Sequence, residues 1–110
     1  MNSDMAAPLF AALASKTRLD ILKQLIQAGP DGLAAGKVAD LLGASPSRTS
    51  FHLSALSENG LIQAKRISRS LIYTANYDII GGLLAYLMHD CCGGRAEVIS
   101  CCNNSVGRCS

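Results

Sequence analysis

The chain of 110 residues has no tryptophan, and aromatic residues make up only 5% of it. Charged residues are also few, at 16%, whereas hydrophobic residues reach 49%. A disordered chain shows the opposite balance, so this composition predicts a folded protein with a core of Leu, Ile and Ala. The length predicts one domain, with too little chain for both a core and a deep catalytic cleft.

Long apolar runs are also missing from the sequence. No stretch approaches the roughly 18 residues that a membrane-spanning helix needs, and Met1 to Asp4 does not begin a signal peptide. We therefore expect a cytoplasmic protein that has no membrane partner.

Cysteine is absent from residues 1–90, whereas all five cysteines lie in residues 91–110. A secreted disulfide scaffold spreads its cysteines through the fold because they serve as staples. This distribution instead favours a soft-metal or redox site in a reducing compartment. The sequence therefore predicts a folded domain over residues 1–90 and a cysteine-rich tail over residues 91–110.

Positive charge is concentrated in one part of the chain. Between Ser45 and Asn76 there are four basic residues and one acidic residue, Glu58, which gives this stretch a net charge of +3. The remaining residues have a net charge of −1. A basic stretch of this kind attracts polyanions such as nucleic acid.

Hydrophobic periodicity predicts helices over the first part of the chain. Residues 7–28 are interpreted as two helices, the first beginning at Pro8 and the second capped by Ser15. Gly29 to Gly32 then breaks the pattern, and a short helix follows from about Gly36 to Leu42. The side chains expected to face the core are Leu9, Ala12 and Leu13, then Leu19, Leu22, Leu25 and Ile26, and finally Val38, Leu41 and Leu42.

The segment from Gly43 to Pro46 predicts a tight turn between two helices. Gly43 suits a left-handed C-cap, Ser45 an N-cap and Pro46 the first helical position, and the new helix is expected to end near Asn59. Two helices joined by a short glycine-containing turn are typical of a helix-turn-helix, whose second helix reads DNA with its N-terminal half. The residues in that half are Ser47, Arg48, Ser50, Phe51 and His52, while Leu53 and Leu56 are expected to face inward.

A β-hairpin and a final helix are predicted after this motif. Residues 61–66 and 71–74 are β-prone and flank a short polar turn, so the basic side chains near the tip would lie against phosphates. The final helix, from about Tyr77 to His89, has more apolar surface than so small a domain usually buries. We therefore expect it to form a homodimer interface. Its apolar stripe consists of Ile79, Ile80, Leu83, Leu84 and Leu87.

This order of elements predicts a mainly α winged helix-turn-helix, and the sequence resembles the ArsR/SmtB family of metal-responsive bacterial repressors. The resemblance spans Leu9 to Leu87 and is most specific in Leu41 to Leu53, with further matches in Thr17 to Leu22 and in the wing, Ala64 to Tyr73. It implies a homodimeric repressor that binds double-stranded operator DNA. The DNA-binding residues that we expect are Ser45, Ser47, Arg48, Ser50, Phe51 and His52 in the helix-turn-helix, and Lys65, Arg66 and Arg69 in the wing.

Two of these residues have alternative interpretations at this point. His52 is equally suited to contact the groove or to act as a core or capping histidine, and Phe51 either contacts a thymine methyl group or packs against the protein. Phosphate contacts need only charge and reach, so the wing residues are expected to position the protein rather than to select a sequence.

The sequence departs from its relatives at both places where the family commonly binds metal. The helix before the recognition helix, Lys37 to Leu41, has no cysteine. On the last helix, Asp78 matches the family's zinc site, but Ile80 stands where a histidine is expected and Cys92 where a glutamate is expected. His89 alone does not make a zinc site.

The cysteine pairs instead resemble those of arsenic-binding members, which carry two adjacent cysteines after the last helix and a third a few residues further on. Trivalent arsenic prefers three thiolate ligands, and soft thiolates select such ions over hard ones. Gly93 and Gly94 would let the chain fold back, so that either Cys101 or Cys102 could join the first pair. The resemblance implies no required cofactor and an inducer that is As(III), methylated As(III) or Sb(III). The expected ligands are Cys91, Cys92, Cys101 and Cys102, with Cys109 outside the site.

Two other functions fit parts of the sequence. Oxidation or persulfidation of the adjacent thiols would make the same fold a redox-sensing repressor. A thiol enzyme or metal carrier would need a group that activates a cysteine, and His89 is the sole candidate near the pairs. We therefore expect the protein not to be an enzyme.

Overall fold

The computed structural model describes residues 1–91, which form a winged helix-turn-helix with a three-stranded antiparallel sheet. A 3-10 turn, Gly29–Asp31, follows the second α-helix, and a π-helical segment, Tyr86–Cys91, follows the last one. The mainly helical winged fold predicted from the sequence is confirmed. The α-helices are α1 (Ser3–Leu13), α2 (Lys16–Ala28), α3 (Ala35–Leu42), α4 (Pro46–Glu58) and α5 (Tyr77–Ala85), and the strands are β1 (Leu33–Ala34), β2 (Ile62–Ile67) and β3 (Ser70–Ala75).

The turn between α3 and α4 has the predicted caps. Gly43 is left-handed, with φ 66° and ψ 29°, and its N–H donates to the carbonyl groups of Ala39 and Asp40. Ser45 is extended, and its Oγ accepts a hydrogen bond from the backbone N–H of Arg48 at 3.2 Å. These caps end one helix and begin the next within three residues, which fixes the angle of the helix-turn-helix.

Helix α1 begins earlier than predicted. Its N-cap is Asn2, whose side chain accepts a hydrogen bond from the N–H of Met5 at 3.0 Å, and Pro8 lies inside the helix. Pro8 has no N–H to donate to the preceding turn, but the helix continues past it to Leu13 and buries a small apolar face. The residues of that face are Ala6, Leu9 and Ala12.

The core is aliphatic and lies where α1, α2, α3 and α4 meet the sheet. Its fully buried large side chains are Ile21 and Leu25 from α2, Val38 from α3, Leu53 and Leu56 from α4, and Leu61 and Ile62 before and in β2. Three predicted core residues are exposed instead: Leu19, Ile26 and Leu41. On α2 the inward face is centred on Ile21, Leu22 and Leu25, so at 100° per residue Leu19 and Ile26 fall on its flank. Leu41 lies on the flank of the α3 face that contains Val38 and Leu42.

Strand β1 was not expected from the sequence, because two residues give no alternation to detect. It pairs with β3, placing Leu33 opposite Tyr73 and Ala34 opposite Ile72. Gly32 makes this pairing possible. Its φ is +65°, and a Cβ there would meet the carbonyl oxygen of Tyr73 and lie 2.7 Å from Thr74 Cγ2. A side chain at this position would push β1 off the sheet.

The last helix differs from the single helix predicted from Tyr77 to His89. Regular α5 ends at Ala85, and the chain continues as a π-helix to Cys91. Of the predicted apolar stripe, Leu83 is buried and Leu84 is 56% exposed. In the described part of the chain, no helix has both the length and the hydropathy needed to cross a bilayer.

Candidate nucleic-acid interface

Helix α4 has a core face and an outer face of different chemistry. Thr49, Leu53 and Leu56 are buried, at spacings that place them on one side of the helix. Ser47, Phe51 and Ser54 lie on the opposite side and are exposed, with the Phe51 side chain 62% exposed. The outer face is therefore composed of hydroxyl groups around one exposed ring, which is a surface that can enter a hydrated groove rather than pack against protein.

Arg48 stands at an electrostatically unfavourable place in α4. It is the third helical residue after the Ser45 N-cap, where a capping box would place a glutamate, and the first turn contains no acidic residue. A cation there is repelled by the partial positive charge of the helix N-terminus. The last turn contains no basic residue, and Glu58 ends the helix. The side-chain charges therefore add to the helix dipole instead of offsetting it, and the N-terminal half of α4 attracts anions.

His52 lies half-buried on the flank of α4 that faces α2, rather than on its outer face. Its Nδ1 accepts a hydrogen bond from Nε of Arg18 at 3.2 Å. The rings of His52 and Phe51 meet edge to face, with centroids 5.4 Å apart, and the Arg18 guanidinium lies 5.8 Å from the centre of the Phe51 ring. Burial lowers the pKa of His52 below its usual value, and the positive charges of Arg18 and Arg48 lower it further. His52 is therefore neutral at neutral pH.

The wing presents its three basic residues on different sides. Strand register places Lys65 opposite Ile72 and Arg66 opposite Leu71, and neighbouring residues of a strand point to opposite faces. Arg69 is in the two-residue tip, after Ser68, which has a positive φ of 56°. All three are exposed, and among the described residues none of them forms an ion pair. The wing is thus a charged edge that could contact phosphates on either side.

The structure brings the helix-turn-helix candidates together at one end of α4. Ser45, Ser47, Arg48 and Ser50 are exposed in its cap and first turns, while Ser45 also caps the helix. Of the thiol candidates, Cys91 is the last residue of the π-helical segment. Cys92, Cys101 and Cys102 lie outside the described residues, as does Cys109. Within the part that the structure describes, no three His, Cys, Asp or Glu side chains form a group that could hold a metal.

Sequence analysis missed Arg18 as a functional residue. A usable signal was present, because α2 and α4 begin with the same pattern: a serine N-cap followed three residues later by arginine. Ser15 accepts from the N–H of Arg18 at 3.4 Å, as Ser45 does from Arg48. Arginine at this position is locally unfavourable in both helices, so each instance indicates a role beyond helix formation.

Comparison with known proteins identifies related transcriptional regulators. Residues 13–63 match a family described as a helix-turn-helix domain. The HTH-type transcriptional regulator YgaV of Escherichia coli (strain K12) is 31% identical over 91 residues, covering 83% of this chain and 90% of YgaV. A probable mercury resistance operon repressor of Streptomyces lividans is 28% identical over 106 residues, covering 96% of this chain and 82% of that protein.

A solved structure matches the described fold as well. The homodimeric winged helix-turn-helix DNA-binding domain Mb0332 of Mycobacterium bovis, a possible ArsR-family transcriptional regulator, superposes with a TM-score of 0.65 at 29% identity. The match covers 77% of this chain and 76% of that one. Fold, recognition-helix pattern and the extent of identity to YgaV agree, and the chain belongs to the ArsR-like family of winged helix-turn-helix transcriptional regulators.

Proposed function

We propose that the protein is a homodimeric transcriptional repressor that releases operator DNA when trivalent arsenic binds its C-terminal cysteine thiolates. The observation that carries the DNA-binding half of this proposal is Arg48, an exposed cation in the first turn of α4, where helix formation favours an acid. Natural sequences break a local rule mainly where function requires it. Binding of an anionic ligand such as DNA at this end of α4 would explain why a cation is found there.

The DNA contacts divide into two kinds. Side chains on the first turns of α4 would read base edges in the major groove, with Arg48 suited to guanine and the Phe51 ring to a thymine methyl group. The wing cations would contact phosphates, which fix the register without selecting sequence. The proposed base-reading residues are Ser47, Arg48, Ser50, Phe51 and His52, with Ser45 at the cap, and the proposed phosphate contacts are Lys65, Arg66 and Arg69.

A dimer would place two recognition helices in successive major grooves about 34 Å apart and so require a pseudo-palindromic operator. Two observations support it. The Mycobacterium bovis relative is homodimeric. In this chain α1 and α5 expose large apolar side chains, including Met5 at 57% and Leu84 at 56%. Contact with a second apolar surface would remove these side chains from water, which is favourable.

The proposal that As(III) is the inducer is supported by the chemistry of the cysteine thiolates and by the similarity to a probable mercury resistance repressor. Cys91, Cys92 and either Cys101 or Cys102 would supply the three thiolates that As(III) prefers. The Streptomyces lividans relative is a probable repressor of a mercury resistance operon, and mercury is also thiophilic. Release requires that the ligand bind the DNA-incompetent dimer more tightly, since equal affinity for both states shifts nothing.

DNA binding is tested by fluorescence anisotropy with a labelled duplex covering the promoter of the protein's own gene. We expect binding that weakens steeply with salt, because each phosphate contact releases counterions. A shuffled duplex of the same composition is the control for sequence specificity. Equal affinity for the two duplexes, or no binding to either, would exclude a repressor of this promoter.

Induction is tested by adding arsenite to the bound complex, with methylarsenite, antimonite and mercuric ion in parallel. We expect arsenite to weaken DNA binding by about 5- to 150-fold, the usual range of allosteric coupling. Cys91→Ser and Cys92→Ser should each keep DNA binding and lose the arsenite response, while Cys109→Ser keeps both. Release that survives both substitutions would refute this site. Release by diamide but not by arsenite would favour the redox-sensing alternative.

A further inference from the structure

Arg18 lies where three helices meet. It belongs to the first turn of α2, but its side chain reaches away from that helix to both α1 and α4. One guanidinium nitrogen, Nη1, donates to the carbonyl oxygen of Ala12 at 3.4 Å, and Nε donates to Nδ1 of His52 at 3.2 Å. The Ala12 carbonyl is one of the last four of α1, which have no partner inside their helix. Arg18 therefore satisfies the end of α1 and contacts the recognition helix with the same side chain.

The hydrogen bond determines which proton His52 can offer. A neutral imidazole carries one N–H, and the ring nitrogen that accepts from Arg18 cannot be that one. The proton of His52 is therefore on Nε2, so the ring has a single donor on its other edge. A base edge or phosphate reached by this ring would have to present an acceptor, such as guanine O6 or N7.

Arg18 also constrains Phe51, the most exposed large apolar side chain of α4. An exposed ring without core contacts samples several rotamers. Here the guanidinium lies 5.8 Å from the ring centre, within the distance of a cation–π contact, and His52 contacts the same ring edge to face. Arg18 lies outside the helix-turn-helix and contacts two of the side chains that are proposed to read DNA.

We infer that Arg18 is a positioning residue for DNA recognition, linking the end of α1 to His52 and Phe51 and fixing the orientation of both side chains. This inference rests on the proposed DNA-binding function. This role requires the planar guanidinium group of arginine and not its charge alone. A lysine ammonium is a point charge that cannot hold both acceptors, the Ala12 carbonyl and His52 Nδ1, in one geometry.

The test compares Arg18→Lys and Arg18→Gln with the full-length wild type, using the labelled promoter duplex as the probe. Both variants should bind about tenfold more weakly, although Arg18→Lys keeps the charge. Lys23→Gln is the matched control, since it removes one exposed positive charge from the same helix. It should change affinity less than threefold, the range expected for a charge that does not touch the reading residues. Circular dichroism spectra and melting temperatures establish that each variant is folded.

A spectroscopic readout separates positioning from mere stability. Long-range nitrogen–proton NMR spectra report the tautomer of His52, assigned by the signal lost in His52→Asn. Wild type should show the Nε2–H tautomer and a pKa below 6.5, and Arg18→Gln should show mixed tautomers and a pKa closer to 6.5. The shift is upward because the variant removes a positive neighbour and a donor to the neutral ring, while Arg48 remains.

The outcomes distinguish the two proposals. Wild-type affinity in Arg18→Lys, or unchanged tautomers in Arg18→Gln, would overturn the positioning role while leaving DNA binding intact. If the double variant Arg18→Gln/His52→Asn binds as weakly as the product of the single effects predicts, the two residues act independently and the inference is also overturned. Failure of the wild type to bind the duplex would overturn the proposed function, and with it the DNA role of Arg18.

Discussion

Helices α4 and α5 both leave one side uncovered in this domain, but the uncovered sides differ in chemistry. On α4 the outer face consists of serine hydroxyls and a single ring, Phe51, and Arg48 is exposed beside it in the first turn. On α5 the exposed large side chains are Tyr77 and Leu84, and Leu83 is its only buried residue within the described chain. Helix α4, which has three buried residues, is polar on its outer face, whereas α5, which has one in the described chain, exposes apolar side chains.

This difference shows that the two faces suit different partners. Hydroxyl and guanidinium groups lose little on contacting a wet, charged duplex, because water and phosphate both satisfy them. An exposed leucine such as Leu84 is stabilised only when another apolar surface covers it. The proposed function assigns the polar face of α4 to DNA and the apolar face of α5 to a second protein chain, and the following variants test that division.

The largest effect is expected from Leu84→Glu on α5. A carboxylate within an apolar dimer interface would be desolvated without a partner, so the variant should be monomeric in sedimentation velocity. Its affinity for the promoter duplex should fall about 1,000-fold, the lower limit of the margin between specific and non-specific binding. Leu41→Glu on α3 changes a leucine of similar exposure, 52%, and should remain dimeric. A dimeric Leu84→Glu would show that the interface lies elsewhere.

Arg48→Glu on α4 should move DNA affinity and stability in opposite directions. The variant completes a capping box with Ser45 and places a favourable charge at the helix N-terminus, so the free energy of unfolding should rise by about 0.5–1 kcal/mol. The promoter duplex should bind about 100-fold more weakly, from a lost base contact and new repulsion. Lys23→Glu, with the same charge change on α2, should lower affinity far less. A drop in both quantities would make Arg48 a structural residue.

Arg69→Ala at the wing tip should have a smaller effect that is uniform across sequences. Losing one phosphate contact should lower affinity about threefold and reduce the slope of log affinity against log salt by about 0.9. Affinity for the promoter duplex and for the shuffled duplex should fall by the same factor. Lys23→Ala should leave the slope of log affinity against log salt unchanged. A loss confined to the promoter duplex would instead make Arg69 a base-reading residue.

Thr49→Val tests the inner face of α4 and should not change DNA affinity at all. Thr49 is 1% exposed, and among the described residues its Oγ1 has no hydrogen-bond partner. Valine has nearly the same shape but no hydroxyl that must be buried without a hydrogen bond. The free energy of unfolding should therefore rise by about 1 kcal/mol and the melting temperature by about 4 °C. A lower free energy of unfolding would show that the Thr49 hydroxyl forms a hydrogen bond in solution.

Local signals predicted the centre of the fold well. Gly43, Ser45 and Pro46 each act through the backbone of one or two neighbours, so their roles could be read directly and the caps are confirmed. The hairpin also lies where two β-prone segments and a polar turn predicted it. Elements that depend on distant partners were missed or misplaced. Strand β1 exists because β3 is beside it, and α1 runs from Ser3 through Pro8 with its apolar face covered.

The candidate site likewise has residues that local sequence signals predicted and a contact that depends on distant parts of the chain. The basic and hydroxyl residues of α4 and the wing could be named from their order, and their DNA contacts remain predictions. Arg18 could not be linked to His52 from sequence, since 34 positions separate the two residues and neither carries a motif for the other. The cysteine pairs are known from sequence alone, and apart from Cys91 they lie outside the described residues.

The sequence by itself determined the helix-turn-helix turn, the hairpin, the basic stretch and the position of every thiol, because each depends on chemistry within a few residues of chain. Tertiary packing decided which side of each helix is covered, that His52 turns toward α2 while Phe51 stays exposed, and that Arg18 contacts both the end of α1 and His52 of α4. Those outcomes depend on which surfaces meet, and burial is a property of the assembled fold rather than of any single segment.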